Sequence, residues 1–150
     1  MSFSGKPTTL VELAIENDGF WPNLDVAEFQ KSYRLPAEYL LELLTAELTT
    51  AMTEVNRDLA TYKARWQDQG VTSLESADPA ERTFQAATYK RAVYCRAKAS
   101  LLPQFATIIR RDSAENLGKE LPDSPETFLA FSQQAVRSLQ GRGRITAALL

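Results

Sequence analysis

Residues 36–70, PAEYLLELLTAELTTAMTEVNRDLATYKARWQDQG, decide the fold class. Leu40, Leu41, Leu44, Leu48, Met52, Val55, Leu59, Tyr62 and Trp66 recur mostly at steps of three and four, which places them on one face of an α-helix. Pro36 suits a first helical position, where its missing N–H would have no partner anyway, and Gly70 suits the stop. The residues between them are good helix formers. The pattern therefore predicts one helix over Pro36–Gln69, 34 residues long and about 51 Å at 1.5 Å per residue. A helix that long needs partners along its apolar face, from a second helix of the same chain or from another chain.

Toward the N-terminus, Pro36 also ends a shorter helix. Asp25 followed by Glu28 resembles a capping box and predicts a start at VAEFQKSY. Ahead of it, Phe20-Trp21-Pro22 sets two large aromatics before a proline that biases Trp21 to an extended backbone. Phe20 and Trp21 are candidate partner-binding residues. Residues 1–19 mix Gly, Pro, Ser and Thr with a short helix-compatible patch and are predicted to be a mobile arm.

Toward the C-terminus, residues 70–78 read as a loop, and Asp78-Pro79-Ala80-Glu81 supplies a cap, a proline at the first position and a glutamate three after the cap. The third helix is predicted from Pro79 to Leu102, with Pro103 either kinking it toward Arg110 or ending it. Its alanines at 80, 86, 87, 92, 97 and 99 permit close helix contact. Phe84, Tyr89, Val93, Tyr94, Leu101 and Leu102 are expected to anchor it in the core. Ser124-Pro125-Glu126 opens a fourth helix with the stripe Phe128, Phe131, Ala135 and Leu139, and Gly141 stops it. The last nine residues, RGRITAALL, carry Arg142 and Arg144 and then the apolar Ile145, Leu149 and Leu150. The fold class is therefore all-α: an antiparallel helical bundle with a long two-helix hairpin, a short N-terminal helix, a C-terminal helix and a flexible C-terminal tail. The expected organisation is an arm over 1–19, a helical connector domain over 20–141 and a docking tail over 142–150.

The composition excludes much chemistry. The 150 residues contain no histidine, so no Ser-His or Cys-His nucleophile and no His-ligated metal can form. One cysteine, Cys95, excludes an internal disulfide and a cysteine-cluster zinc site, and it reads as a buried, inert thiol. Glu38, Glu42 and Glu47 read as a solvated helix face, and Gly141-Arg142-Gly143-Arg144 is too short to cradle a phosphate. No catalytic residue, cofactor or metal is expected. No apolar run approaches the roughly 20 residues of a membrane span, and the N-terminus lacks a signal layout, which points to the cytoplasm.

The net charge of −2 conceals a split. Residues 1–80 carry 6 basic and 13 acidic side chains, residues 81–111 carry 7 and 1, and residues 112–150 carry 4 and 5. In the middle segment Arg91 and Lys98 share a helix face, and Arg110-Arg111 come after them. These four are candidates for lining a DNA channel or for pairing with the acidic first half of a neighbouring subunit. The alternative is a small helical DNA-binding or regulatory protein acting through residues 82–111. An enzyme of unfamiliar type is the reading that the missing histidine disfavours most.

Three runs in order carry a resemblance: Phe20-Trp21-Pro22 with Leu24-Asp25, then Tyr89-Lys90-Arg91-Ala92-Val93-Tyr94 leading into Ala97-Lys98-Ala99-Ser100-Leu101, and last Gly141-Arg142-Gly143-Arg144-Ile145. Over roughly residues 20–150 the chain resembles the head completion proteins of contractile-tailed temperate bacteriophages, relatives of the connector proteins beneath the portal. The resemblance implies a helical protein, without enzyme activity, cofactor or metal, that joins the portal vertex after DNA packaging. There it would form a homo-oligomeric ring of twelve subunits, contact the portal protein and tail-side connector proteins, extend the channel around packaged double-stranded DNA, and prepare the capsid for the tail. It places the chain at the head–tail interface of the virion, and in the host cytoplasm during assembly. Pro103 and the short N-terminal arm depart from the family pattern.

Overall fold

The computed structural model describes residues 12–104 and 123–141. In chain order these form β1 (Ala14–Ile15), β2 (Leu24–Asp25), α1 (Val26–Ser32), α2 (Leu41–Asp58), α3 (Ala60–Asp68), a 3-10 turn (Leu74–Ser76), α4 (Pro79–Gln104) and α5 (Pro125–Leu139). The class is all-α, with one two-residue antiparallel pair in which Ala14 faces Asp25 and Ile15 faces Leu24.

α4 is the axis. Tyr62 bonds Gln85, Asn56 bonds Tyr89, Glu54 and Asp58 meet Arg96, and Glu47 bonds Gln104. Residue numbers fall along α2–α3 as they rise along α4, so the expected antiparallel hairpin is present. On another side Arg91 meets Phe131, Ala92 meets Ser132 and Lys98 meets Phe128, so α5 is also antiparallel to α4. The alanines make this closeness possible: Ala92 and Ala97 are fully buried, and the buried Ser132 hydroxyl donates to the Ala92 carbonyl at 2.6 Å. Around α4, Leu44, Leu48, Val55, Leu59, Val93, Leu101 and Leu139 close one apolar core.

The predicted second helix is corrected in two ways. It starts at Leu41, because Leu40 is extended (φ −63°, ψ 137°) and Pro36 instead opens a turn closed by the Tyr39 N–H at 3.3 Å. It is also interrupted at Leu59 (φ −100°, ψ 8°), which divides it into α2 and α3. No proline or glycine marks that interruption. Leu59 is fully buried, whereas α3 buries none of its side chains completely, so the core anchors the chain up to the break and less firmly beyond it. Leu40, assigned to the stripe, is 68% exposed.

α4 starts at Pro79 as expected, with the Arg82 N–H bonded to the Asp78 carbonyl at 2.8 Å, and α5 is capped by Ser124, which accepts from the Thr127 N–H. α4 passes through Pro103 to Gln104 rather than stopping at Leu102; its extension to Arg110 lies outside the described residues. Phe84 is a correction. Expected in the core, it is 56% exposed, because it lies in the first turns of α4 beyond the end of α5. Within the expected arm, residues 12–19 are held rather than free: Ile15 pairs with Leu24, and Val26 donates to the Leu13 carbonyl at 3.0 Å.

Candidate interaction surfaces

The side chains most suggestive of function are the aromatic pair and the basic segment. Phe20 and Trp21 are each 3% exposed and offer no surface to a partner, so they are corrected to core residues. Trp21 lies flat between Tyr89 (centroids 4.7 Å, planes 2° apart) and Tyr62 (6.2 Å, 12°), with Phe20 edge-on at 4.9 Å. Asp18 fixes this corner. One carboxylate oxygen accepts from the Phe20 and Trp21 N–H groups, each at 3.0 Å, and the other accepts from Lys63 at 2.9 Å. Burial works to raise the Asp18 pKa, but the Trp21 N–H, Lys63 and the Phe20 N–H outweigh it and hold the carboxyl below its ordinary value.

Beside the aromatic stack, three side chains close a ring. The Asn17 amide donates to the Tyr89 hydroxyl (2.7 Å), Tyr89 donates to the Asn56 oxygen (2.6 Å), and the Asn56 amide donates to the Asn17 oxygen (2.8 Å). Every member is both donor and acceptor, which satisfies a buried tyrosine without leaving an orphan. Burial pushes the Tyr89 hydroxyl strongly upward, so it stays a donor at any physiological pH. Sequence reasoning missed this ring because its members are 33 to 72 positions apart.

The basic segment is engaged within the chain. Arg96 bridges Asp58 (3.0 Å) and Glu54 (3.7 Å) and donates through Nε to Ser132. Lys90 pairs with Glu28 at 3.1 Å, and Arg82 donates to the Glu75 carbonyl at 3.0 Å. Lys98 is 6% exposed, donates to the Tyr33 carbonyl and to Asp123, each at 2.8 Å, and stands 4.4 Å over the Phe128 ring. It ties α1, α4 and the start of α5 together and is corrected from a channel-lining candidate to a structural ammonium. Arg91 is exposed, with its guanidinium 5.0 Å over Phe131. For Lys90 and Arg96, the acidic first half expected on a neighbour is supplied by the same chain through Glu28, Glu54 and Asp58.

Arg110, Arg111, Arg142, Arg144, Ile145, Leu149 and Leu150 lie outside the described residues. Cys95 is buried against the Tyr33 hydroxyl at 3.7 Å, and burial pushes its thiol upward, which disfavours the reactive thiolate. Among the described residues no cluster of metal-ligating side chains exists, and no helix is long and apolar enough to cross a membrane. An open groove of about 600 Å³ is lined by Glu12, Asp25, Ala27, Glu28, Lys31 and Ser32, with no nucleophile and base in contact.

Known proteins resemble the chain along almost all of its length. Residues 15–150 match the family model described as phage head completion protein (GPL). Over 151 aligned residues, 99% of each chain, the sequence is 32% identical to a probable head completion/stabilization protein of Haemophilus phage HP1 (strain HP1c1). No solved structure matches the chain significantly. A bundle whose polar side chains are spent on holding its own helices, matched along nearly its whole length, belongs to the phage head completion protein (GPL) family.

Proposed function

We propose that the chain completes the head by assembling as a ring, twelve subunits in the finished connector, on the portal vertex after DNA is packaged. The ring extends the DNA channel, seals the capsid and presents a surface to the tail-side connector proteins. The chain acts there as a structural part of the virion, without catalysis, cofactor or metal, after synthesis and assembly in the host cytoplasm. The observation that carries this reading is the match to head completion proteins over residues 15–150. In this reading Arg142, Arg144, Ile145, Leu149 and Leu150 form the segment that engages the portal or a neighbouring subunit.

The rival, a DNA-binding or regulatory protein working through residues 82–111, loses support from the pairing of Lys90, Arg96 and Lys98 with carboxylates of the same chain. A phosphate contact would have to displace those partners. The two readings separate in a salt titration with duplex DNA. A dedicated binder holds the duplex tightly at low salt and loses it along a steep log–log line. The connector reading expects weak or undetectable binding at every salt concentration, together with attachment of the full chain, and not of a chain lacking residues 142–150, to portal-bearing heads. Tight, steeply salt-dependent duplex binding, or normal head completion by the truncated chain, contradicts it.

A further inference from the structure

The face of α4 that α5 covers continues past the end of α5. Residues 84, 88, 91, 95, 98 and 102 alternate steps of four and three, so they fall on one stripe. Arg91 and Lys98 of that stripe lie over Phe131 and Phe128 of α5. The contacts pairing 91 with 131 and 98 with 128 set an antiparallel register, because both helices rise equally per residue. Extended, that register brings Gly141, the residue where α5 gives way to a left-handed turn (φ +74°), level with Phe84. The first turns of α4 therefore outrun α5. There the stripe presents Phe84, 56% exposed, flanked by exposed Ala80 and Ala87.

We infer that this end of α4 is the seat of the chain's own C-terminal segment, with Ile145–Leu150 lying on Phe84, Ala80 and Ala87. Three observations favour that occupant. The chain leaves α5 at Gly141 level with the patch, and the four residues to Ile145 can reach about 13 Å, more than the roughly 8–10 Å that separates the axes of packed helices. The segment is apolar where the patch is apolar. Arg142 and Arg144 come first, and exposed Glu75, Asp78 and Glu81 crowd the N-terminal end of α4 beside the patch. A tether this short gives an effective concentration in the millimolar range, far above any second copy of the protein in dilute solution. A segment held there in the free chain is kept from premature association and becomes available when assembly offers it a better surface.

Hydrogen exchange on the full chain tests this, read at the hydrogen-bonded amides of residues 83–88, with the amides of residues 93–101 as the internal reference. Deleting residues 142–150 speeds exchange at 83–88 by about fivefold, the loosening expected from uncovering roughly half a phenylalanine, and leaves the reference unchanged. Phe84→Glu gives the same local loss, and combining it with the truncation adds nothing further. The full-chain protection is independent of protein concentration. Exchange at 83–88 that ignores the truncation overturns the proposal, and so does protection that rises with protein concentration, which assigns the seat to a second copy.

Discussion

The two ends of α4 meet opposite fates. From Tyr89 to Leu102 the helix is covered by α2, α5 and α1; from Pro79 to Thr88 it carries three alanines and a phenylalanine, and none of its side chains is fully buried. Part of the difference is composition: the first stretch has four apolar residues in ten, only Phe84 of them large, against nine in fourteen from Tyr89 to Leu102. The rest is company: the first turns lie beyond the end of α5 and beside α3, which buries none of its side chains completely. Burial follows both the side chains a helix carries and the neighbours it is given; polar ties occur at both ends, through Gln85 and Arg82 at the first and through Tyr89, Lys90, Tyr94, Arg96 and Lys98 at the covered one.

That contrast can be broken most severely inside the covered region. Leu48→Asp or Val55→Asp sets an uncompensated charge at a fully buried position of the stripe, costing several kcal/mol against a total stability of about 5–15 kcal/mol. The domain should be unfolded or nearly so in circular dichroism, and an unchanged urea midpoint would show that the stripe is not the core. A smaller loss, about 1–3 kcal/mol, is expected for Tyr89→Phe, which opens the Asn17–Tyr89–Asn56 ring and leaves the half-buried Asn56 oxygen without its donor. Lys98→Met should fall in the same range because it strands the Tyr33 carbonyl and Asp123, whereas Arg91→Ala, on the same stripe but exposed, should cost no more than about 1 kcal/mol. Equal urea midpoints for the Lys98 and Arg91 variants would remove the distinction between a structural ammonium and a surface guanidinium.

The Asp18 corner adds a pH signature. Its folded pKa is depressed, so its contribution is present above the unfolded value near 3.8 and is lost as pH falls through the folded value. Asp18→Asn should therefore melt below the parent chain at neutral pH, and the gap should close as pH is lowered below about 3.8. A gap that persists into strong acid would mean that the carboxylate charge is not what holds Phe20 and Trp21. The smallest effect belongs to the exposed end of α4. Phe84→Glu should change global stability by no more than about 1 kcal/mol, within a few degrees of melting temperature, and a collapse of the fold would show that Phe84 is a core residue after all.

The legibility of each feature in the sequence tracks the range of the interaction that makes it. Asp78-Pro79 and Ser124-Pro125 are local capping signals, so α4 and α5 start where those residues predict. The α2–α4 hairpin comes from a long stripe and a strong restart. The break at Leu59 is silent because no proline or glycine accompanies it, and Pro36 misleads because the same residue serves a turn as well as a first helical position. A two-residue strand pair is too short to alternate. The interaction residues are least legible: large aromatics beside a proline look alike whether they face a partner or stack on Tyr89, and a lysine gives no local sign that Asp123 and a backbone carbonyl wait for it. Membership of the head completion family is readable from the three short runs in order, and the full-length match bears it out.

Electron microscopy of the purified full chain mixed with its portal protein tests assembly on the portal without intermediaries. The connector reading expects a layer of density added to one end of the portal ring, with one copy of the chain for each portal subunit and an open axial channel. Portal rings that remain bare at concentrations where both proteins are folded and in excess would contradict it.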